Sequence, residues 1–322
     1  MGPERVRIER TAPAKINLFL EVLGRRPSGY HDLRSVLMPV SLCDTLVIEP
    51  SADGDIAVDL CPDSSVDLEP LRNGTNGENL VVRAARGLRE LTGYPGGARV
   101  TLTKHIPIGG GLGGGSSDAA VTLRGLNELW GTGVPLDELA ALGAGIGCDV
   151  PALVHAKAAL IEGLGERVTR LVDAPAGGGD NGEMPPLWLV LVNPRFSVST
   201  ADVYARCRAP LTSGGPSATN LICSLRGGDV AGVASNLFNG LQATVFDKYP
   251  LIEMLARTLS EAGAAGVLLS GSGASVFGVA HDERHARELV ERVGTAFGAA
   301  VWCRAVRTLP DGVMVAHGPL EA

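Results

Sequence analysis

Apolar and polar residues alternate along several short stretches in the first third of the chain, and this pattern predicts β-strands. A period of two places every second side chain on one face of a sheet. Residues 24–30 are polar and carry turn formers, so a loop is expected there. Residues 51–76 are acidic and rich in Ser, Asp and Pro, which predicts an exposed excursion. The predicted strands span residues 6–9, 16–22, 45–49 and 98–104.

Three further stretches follow the helical spacing of three and four residues. They predict helices over residues 79–91, after residue 117, and from residue 136 to about 143–147. A short strand is expected at residues 158–161. The apolar faces of the first two helices consist of Leu80, Ala84, Leu88 and Leu91, and of Ala119, Leu123, Leu126 and Trp130.

The chain is long enough for two domains, and its composition suggests where they meet. Residues 174–186 hold three Pro and a run of Gly, Asp and Asn, which predicts a linker. We therefore expect an N-terminal domain over residues 1–173 and a C-terminal domain over residues 187–322. The second domain should begin with an apolar strand at 187–193. It should continue with helices at 229–241, 251–261 and from 282, and with strands at 267–269 and 276–279.

The strongest local signal is a glycine-rich run between a predicted strand and a predicted helix. Six of the nine residues from 109 to 117 are glycine, so the backbone can approach a ligand closely. A helix N-terminus offers unpaired N–H groups and the positive end of the helix dipole, which favour a phosphate. A flexible turn with a cap at Ser116 or Ser117 is the structural alternative. The run therefore favours a phosphate-binding loop.

Two other phosphate-binding motifs match this glycine-rich run less well. A Walker A loop needs Lys before its last Ser or Thr, and Gly115 stands there instead. Gly109, Gly111 and Gly114 satisfy G-x-G-x-x-G, but a dinucleotide site also needs a second strand ending in an acid about 20 residues later. Residues 128–134 end a helix without opening such a strand. A dehydrogenase is therefore the weaker interpretation.

Charge and cysteine content narrow the class of protein. The 322 residues carry a formal charge of −7 without a long basic run, so nucleic acid is an unexpected partner. No long apolar segment predicts a signal peptide or a membrane span, and we expect a cytoplasmic protein. The six cysteines are scattered without a C-x-x-C pair, which argues against a disulfide framework or a zinc site. No obligate protein partner is evident.

The run from Pro107 to Ser117 resembles the central motif of the GHMP kinases, a family named after galactokinase, homoserine kinase, mevalonate kinase and phosphomevalonate kinase. Residues 12–18 (Ala-Pro-Ala-Lys-Ile-Asn-Leu) resemble the family's first motif, and residues 269–275 (Leu-Ser-Gly-Ser-Gly-Ala-Ser) resemble its third. Residues 29–33 and 147–151 are similar to one branch, whose acceptor is a branched polyol linked to cytidine diphosphate.

The resemblance spans residues 10–305 and implies an α+β fold of two domains. The N-terminal domain would be ribosomal-protein-S5-like and the C-terminal domain ferredoxin-like, with the active site in the cleft between them. The implied activity is ATP-dependent phosphorylation of the 2-hydroxyl of that polyol, in the non-mevalonate route to isoprenoid precursors. Homoserine or mevalonate kinase activity, and a non-catalytic nucleotide sensor, remain as alternatives.

The resemblance also implies the catalytic residues. Asp149 would be the base that accepts the proton of the acceptor hydroxyl, and Lys15 would pair with it. From the residues alone, a Lys inside an apolar strand either reaches the surface or pairs with a functional group. Asn17 would face the same side of that strand and orient the acceptor.

The remaining site residues divide between the two substrates. By resemblance, Tyr30 and Tyr204 would stack on the cytosine of the acceptor, His31 would bond its edge, and Thr200 would lie nearby. A lone His is more often structural. Mg²⁺ would be bound through Ser117, with Ser116 as the alternative. ATP would be held by the adenine-pocket residues Asn79, Leu80 and Lys104, by Pro107, Ile108, Gly109, Gly110, Gly111, Leu112, Gly113, Gly114, Gly115, Ser116 and Ser117, and by Gly273 of the third motif.

Overall fold

The computed structural model describes residues 7–51, 53–72, 79–172, 184–207 and 216–312. The first half contributes most of a seven-stranded sheet with helices packed against it. Its strands are β1 (Ile8–Arg25), β2 (His31–Ser51), β3 (Ile56–Leu60), β4 (Gly97–Thr103), β5 (Ala159–Gly163) and β6 (Arg167–Arg170). Its helices are α1 (Glu69–Arg72), α2 (Leu80–Thr92), α3 (Gly114–Leu129), α4 (Leu136–Ala144) and α5 (Val150–His155).

The long hairpin of β1 and β2 differs from the separate short strands that the pattern predicts. The two strands pair antiparallel from Ile8 to Arg25 and stay paired across three register shifts. Those shifts lie beside Pro13, Asn17 and Val22, where the simple alternation breaks. Pairing to a neighbouring strand carried the extended conformation across positions that local pattern treats as interruptions. Residue 6 of the first predicted strand lies outside the described residues.

The acidic segment after β2 is more structured than expected. Residues 56–60 form β3, which pairs in parallel with β4 from Ile56↔Ala98 to Leu60↔Leu102. The helical turn α1 follows before the described chain stops at residue 72. Because the partner strand is distant in sequence, the acidic composition of residues 56–60 did not predict this edge strand. Residues 52 and 73–76 of the predicted excursion lie outside the described residues.

The helix ends explain how the predicted helices begin and stop. Asn79 caps α2 through its side-chain oxygen, which accepts a hydrogen bond from the N–H of Val81 at 2.9 Å. Gly93 ends the same helix in the left-handed conformation. α3 begins instead at a glycine cap, Gly113, without a side-chain hydrogen bond. The start of α3 is therefore left open toward solvent or a ligand.

The second half forms a four-stranded antiparallel sheet of order β11-β7-β10-β9. Numbered within this sheet, the order is 4-1-3-2, and the βαββαβ chain path is that of a ferredoxin-like domain. The strands are β7 (Trp188–Asn193), β9 (Gly266–Leu269), β10 (Val276–Ala280) and β11 (Trp302–Arg307). The helices are α6 (Thr200–Arg206), α7 (Ala218–Arg226), α8 (Val230–Asn236), α9 (Gln242–Lys248), α10 (Pro250–Glu261) and α11 (Glu283–Phe297), and residues 298–300 form a 3₁₀ turn.

The two halves share a core, and backbone pairing also connects them. Leu189 and Leu191 of β7 pack in a cluster that includes residues of β1, whereas Val190 and Val192 pack in a cluster with residues of α10 and α11. The short strand β8 (Phe238–Asn239) pairs in parallel with β1. The predicted domain limits at 173 and 187 stay a prediction, because residues 173–183 lie outside the described residues. Among the described helices, none combines the length and apolar character of a membrane span.

Candidate active site

A cleft of about 940 Å³ lies where the two halves meet. It is lined by the first turn of α3 and by the segments around residues 15, 30, 149, 204 and 271. The structure therefore brings together residues far apart in sequence. Of the predicted site residues, Ser117 alone does not line the cleft. The others do: Lys15, Asn17, Tyr30, His31, Asn79, Leu80, Lys104, Pro107, Ile108, Gly109, Gly110, Gly111, Leu112, Gly113, Gly114, Gly115, Ser116, Asp149, Thr200, Tyr204 and Gly273.

Lys15 and Asp149 form an ion pair in this cleft, with 3.2 Å between Nζ and Oδ2. Lys15 is 4% exposed, whereas the Asp149 side chain is 33% exposed and opens to the cleft. The Lys15 ammonium also donates to Asn17 Oδ1 at 2.7 Å. The pair therefore presents a partly exposed carboxylate, with an ammonium beside it, to whatever occupies the cleft.

A short hydrogen-bond chain fixes the orientation of Asn17. Its Nδ2 donates to Ser35 Oγ at 2.8 Å, and the Ser35 hydroxyl donates to the carbonyl of Phe19 at 2.7 Å. Asn17 and Ser35 are both buried. Because the amide nitrogen is engaged by Ser35, the amide oxygen is directed to Lys15. Ser35 carried no motif in the sequence and became part of the site only through the pairing of β1 with β2.

In residues 107–117, called the glycine loop below, three consecutive carbonyls accept hydrogen bonds from neighbouring segments. The carbonyl of Gly110 accepts from Ser275 N at 3.0 Å, and that of Gly111 accepts from Ser270 Oγ at 3.1 Å. The carbonyl of Leu112 accepts from Lys15 N at 2.9 Å. The loop is thus held by β1 on one side and by the third-motif loop, residues 269–275, on the other.

Unlike those carbonyls, the N–H groups at the start of α3 are left without hydrogen-bond partners in the described chain. Those of Gly114, Gly115 and Ser116 donate no hydrogen bond to any part of the chain that the structure describes. They are the unpaired donors that a helix start leaves open. With the helix dipole they form an anion site suited to a polyphosphate. The arrangement fits the phosphates of a nucleotide.

The fit to Mg²⁺ depends on the two serines that follow. Ser116 lines the cleft, whereas Ser117 is 1% exposed and its hydroxyl has no hydrogen-bond partner among the described residues. A buried hydroxyl without a partner is uncommon in a folded protein and needs an explanation such as an ion or a water. The hydroxyl oxygen is a donor of the type that Mg²⁺ accepts. The donor set is compatible with the ion, with Ser116 the more accessible of the two.

The third-motif loop packs directly against the charged pair. A Cβ on Gly271 would lie 3.3 Å from Asn17 Oδ1 and 3.4 Å from Lys15 Nζ. A Cβ on Gly111 would lie 2.2 Å from the carbonyl oxygen of Ser270, so these two loops approach backbone to backbone. Ser272 is hydrogen-bonded to Thr200, with 2.8 Å between the two hydroxyl oxygens. The second half therefore completes the wall around Lys15.

Three aromatic rings, those of Tyr30, His31 and Tyr204, line the cleft. Tyr30 is 62% exposed. The rings of His31 and Tyr204 are in contact, with their centroids 5.4 Å apart and a tilt of 37°. Burial, together with the nearby Asp149 carboxylate, raises the pKa of the Tyr204 phenol, which therefore stays protonated. The cleft therefore contains two aromatic rings in contact with each other and one exposed ring.

Asn79, Leu80 and Lys104 also line the cleft, joined by Pro70 and Leu71 of α1. No local sequence pattern predicts α1. Lys104 is buried and its ammonium forms ion pairs with Asp44 and with Asp118 Oδ2. Neither carboxylate was predicted as a partner. The signal that could have found them is the burial of Lys104, which requires a counter-charge.

Comparison with known proteins places this geometry in a family. The model of the GHMP kinases N terminal domain matches residues 79–157, and the model of the GHMP kinases C terminal domain matches residues 221–300. A 4-diphosphocytidyl-2-C-methyl-D-erythritol kinase of Symbiobacterium thermophilum is 44% identical, over 87% of this chain and 93% of the relative. The protein of the same name from Geobacter metallireducens is 42% identical, over 88% and 92%.

Solved structures agree with the sequence relatives. A crystal structure of 4-(cytidine 5'-diphospho)-2C-methyl-D-erythritol kinase superposes with a TM-score of 0.73 at 34% identity, over 93% of this chain and 99% of the other. The mevalonate kinase of L. major, in complex with R-mevalonate, gives a TM-score of 0.69 at 14% identity, over 97% and 99%. That second likeness shows the fold alone. The chain belongs to the GHMP kinase family of ATP-dependent small-molecule kinases.

Proposed function

We propose that this kinase transfers the terminal phosphoryl group of ATP to the 2-hydroxyl of 4-diphosphocytidyl-2-C-methyl-D-erythritol, a step of the non-mevalonate route to isoprenoid precursors. The observation that carries the proposal is the Lys15–Asp149 pair, 3.2 Å apart and open to the cleft beneath the glycine loop. The names of the relatives at 42–44% identity supply the acceptor.

In the proposed reaction, Asp149 accepts the proton of the acceptor hydroxyl as its oxygen attacks the terminal phosphorus of ATP. A tertiary alcohol is a poor nucleophile, so a positioned base is useful. Lys15 holds the Asp149 carboxylate in place and stabilises the negative oxygens as the bond to the leaving diphosphate breaks. Asn17, oriented by Ser35, keeps the ammonium in place. The products are ADP and the phosphorylated polyol.

The nucleotide would be bound along the glycine loop. The open N–H groups of Gly114, Gly115 and Ser116 would receive its phosphates, and Asn79 and Leu80 would border the adenine. We propose that Mg²⁺ is held through Ser116 or Ser117. When bound, the ion would neutralise charge on the phosphates and orient them. Pro107, Ile108 and Gly273 would complete the walls.

We propose that the aromatic residues of the cleft select the acceptor. Tyr204 and Tyr30 would stack on the cytosine, and His31 would bond its edge, with Thr200 nearby. In the structure His31 rests against Tyr204 at 5.4 Å between ring centroids. A ring face does not distinguish cytosine from uracil, so discrimination must come from hydrogen bonds that the wrong base leaves unpaired.

The alternatives are less well supported. Homoserine kinase and mevalonate kinase share the fold at 14–16% identity only. A nucleotide sensor would not need a carboxylate paired with a buried lysine in the cleft. We further propose that the protein works in the cytoplasm on this small molecule, without nucleic acid, a membrane or an obligate protein partner.

The test measures ATP consumption with the cytidine acceptor, its uridine analogue, homoserine and mevalonate. Wild type should turn over the cytidine acceptor with the highest kcat/KM. Tyr204→Ala should weaken the cytidine and uridine forms alike, by about 1–3 kcal/mol, the usual value for one stacked base. His31→Ala should reduce the preference between the two forms. Phosphorylation of homoserine or mevalonate in preference to the cytidine acceptor would refute the proposed function.

A further inference from the structure

Beneath the glycine loop lies a group of three buried charges, Asp44, Lys104 and Asp118, called the buried triad below. Their exposed fractions are 0%, 3% and 2%. The Lys104 ammonium contacts Asp44 Oδ2 and lies 2.7 Å from Asp118 Oδ2. With all three groups ionised, the triad carries one net negative charge. None of the three has a part in the proposed phosphoryl transfer, although Lys104 is one of the residues predicted to line the adenine pocket.

The buried triad joins the two ends of the glycine loop to the sheet. Asp44 lies on β2, and its Oδ1 accepts from the N–H of His105 at 2.5 Å and from that of Ile106 at 2.9 Å. Both donors lie immediately before the loop begins. Asp118 lies on α3, immediately after the loop ends. Lys104 connects the two carboxylates and so closes the loop at its base.

The ammonium also lies directly under the phosphate-binding turn. A Cβ on Gly114 would be 3.2 Å from Lys104 Nζ and 3.0 Å from Ile106 Cγ2. The backbone of Lys104 is held too, since its N–H donates to Ser64 Oγ and its carbonyl accepts from Ser65 N, both at 2.9 Å. A shift of the ammonium would therefore move the residues that carry the open N–H groups.

The energetics argue against stability as the reason for this arrangement. Each ion removed from water costs several kcal/mol, and a well-packed apolar replacement is often as stable. One oxygen, Asp118 Oδ1, remains buried without a hydrogen-bond partner among the described residues, which adds a cost. Ion pairs between buried groups also hold those groups in a fixed direction. Such contacts are expected where a loop must keep one geometry.

We propose that Asp118, through Lys104 and Asp44, is a positioning residue for the nucleotide. The buried triad sets the spacing of the loop's open N–H groups and so determines ATP affinity, without taking part in proton transfer. The inference relies on the proposed function only in assigning ATP to the glycine loop. It makes no use of the acceptor.

The experiment compares Asp118→Ala with Asp118→Asn, since both remove the charge but only Asn keeps an oxygen that can accept from Lys104. Binding of a non-hydrolysable ATP analogue is measured by calorimetry, and thermal unfolding of each variant is recorded. Asp118→Ala should lose about tenfold or more in affinity for the analogue, the usual cost of a lost hydrogen bond to a charged group. Asp118→Asn should recover most of that loss.

The matched control is Asp59→Asn, which removes a half-exposed carboxylate paired with Arg99 on the neighbouring strands. Its analogue affinity should equal that of wild type. A folded Asp118→Ala with wild-type affinity would overturn the proposal, as would equal losses in the Ala and Asn variants. If Asp118→Ala does not fold, Asp44→Asn takes its place. In Asp44→Asn, an amide NH₂ group replaces one of the two carboxylate oxygens, so this variant should lower analogue affinity. Unchanged affinity in Asp44→Asn would overturn the proposal as well.

The proposed function can fail while this inference survives. An enzyme that binds the ATP analogue but leaves the cytidine acceptor unphosphorylated would refute the assigned acceptor alone. Analogue binding that responds to Asp118→Ala would then still support the buried triad. A purely structural role would lower the thermal midpoint while leaving the affinity of the folded variant unchanged.

Discussion

Two buried lysines lie beneath adjacent residues of the glycine loop, and their partners differ. Lys15 lies under Gly113, whose added Cβ would be 2.7 Å from its Cγ, and Lys104 lies under Gly114. Lys104 is neutralised by two carboxylates that are themselves buried. Lys15 has one carboxylate, on Asp149, and that group remains one-third exposed to the cleft.

The difference shows how one residue type serves two purposes. A lysine between two buried carboxylates is held in place, and a shift away from them would expose unpaired charge. A lysine with one accessible carboxylate and one amide oxygen can still respond when negative charge develops beside it. The Lys15 side of the loop is therefore suited to chemistry, and the Lys104 side is suited to holding the loop.

The largest expected effect is on the Lys15 side. Asp149→Asn keeps the shape of the side chain but removes the base, and Lys15→Ala removes its partner. Each should lower kcat by about 10²-fold or more, the usual range for general base catalysis. Affinity for an ATP analogue should change little, because neither side chain forms the phosphate-binding turn. Steady-state kinetics and calorimetry measure the two quantities.

Glu90→Gln is the control for this pair, because it removes an exposed carboxylate on α2 outside the cleft. It should behave as wild type in both assays. Near-normal turnover by purified Asp149→Asn would show that Asp149 is not the base and would end the distinction between the two lysines.

An intermediate effect should separate the adjacent glycines. Gly113 has φ +69°, and a Cβ there would press on the buried Lys15 side chain. Gly113→Ala should lower kcat by about tenfold or more, since small displacements of reacting groups are costly. Gly114 is helical, and its Cβ would meet Ile106 and Lys104, so Gly114→Ala should weaken ATP affinity instead. Kinetics for each variant give the kcat and KM changes separately.

Gly294→Ala provides the glycine control, since nothing lies within 4 Å of the Cβ position in α11. It should leave kinetics unchanged and stabilise the helix by about 0.5–1 kcal/mol. Equal losses of kcat and ATP affinity in Gly113→Ala and Gly114→Ala would mean that the loop responds as one unit, and the proposed division would be incorrect.

The smallest expected effect concerns stability rather than catalysis. On the Lys104 side, the free energy of unfolding should depend on pH. Burial, opposed by Lys104 and assisted by Asp44, raises the pKa of Asp118 from 3.8 to about 7. A raised pKa means that the folded protein holds a proton which the unfolded chain releases. The stability from this group is therefore fully present below about pH 4 and is lost as pH rises through about 7.

Asp118→Asn cannot ionise, so it should gain stability relative to wild type as pH rises from about 4 to 7. Urea unfolding of both proteins at several pH values measures the difference in free energy of unfolding. A difference that stays constant over this range would show that Asp118 does not titrate there. Asp59→Asn, half-exposed on β3, should show no such trend.

Local pattern predicted most helices and the central strands because their burial is periodic and local. The helix predicted over 79–91 appears as α2, Leu80–Thr92, and the strand predicted over 98–104 appears as β4, Gly97–Thr103. The edge strand β3 was missed, because its stabilising partner β4 is remote in sequence and its own segment is acidic. The roles of the predicted site residues remain predictions.

By itself, the sequence determined the glycine loop, the family and the residue types available for chemistry, because these depend on residues adjacent in the chain. It also indicated Lys15 and Asp149, through motifs at separate places. Tertiary structure decided which buried charges meet. Asp44 lies on β2, Lys104 follows the end of β4 and Asp118 lies on α3, and nothing in their local sequence pairs them. Ion pairing is a through-space interaction, so only folding could reveal that one lysine is held by two carboxylates while the other faces the cleft.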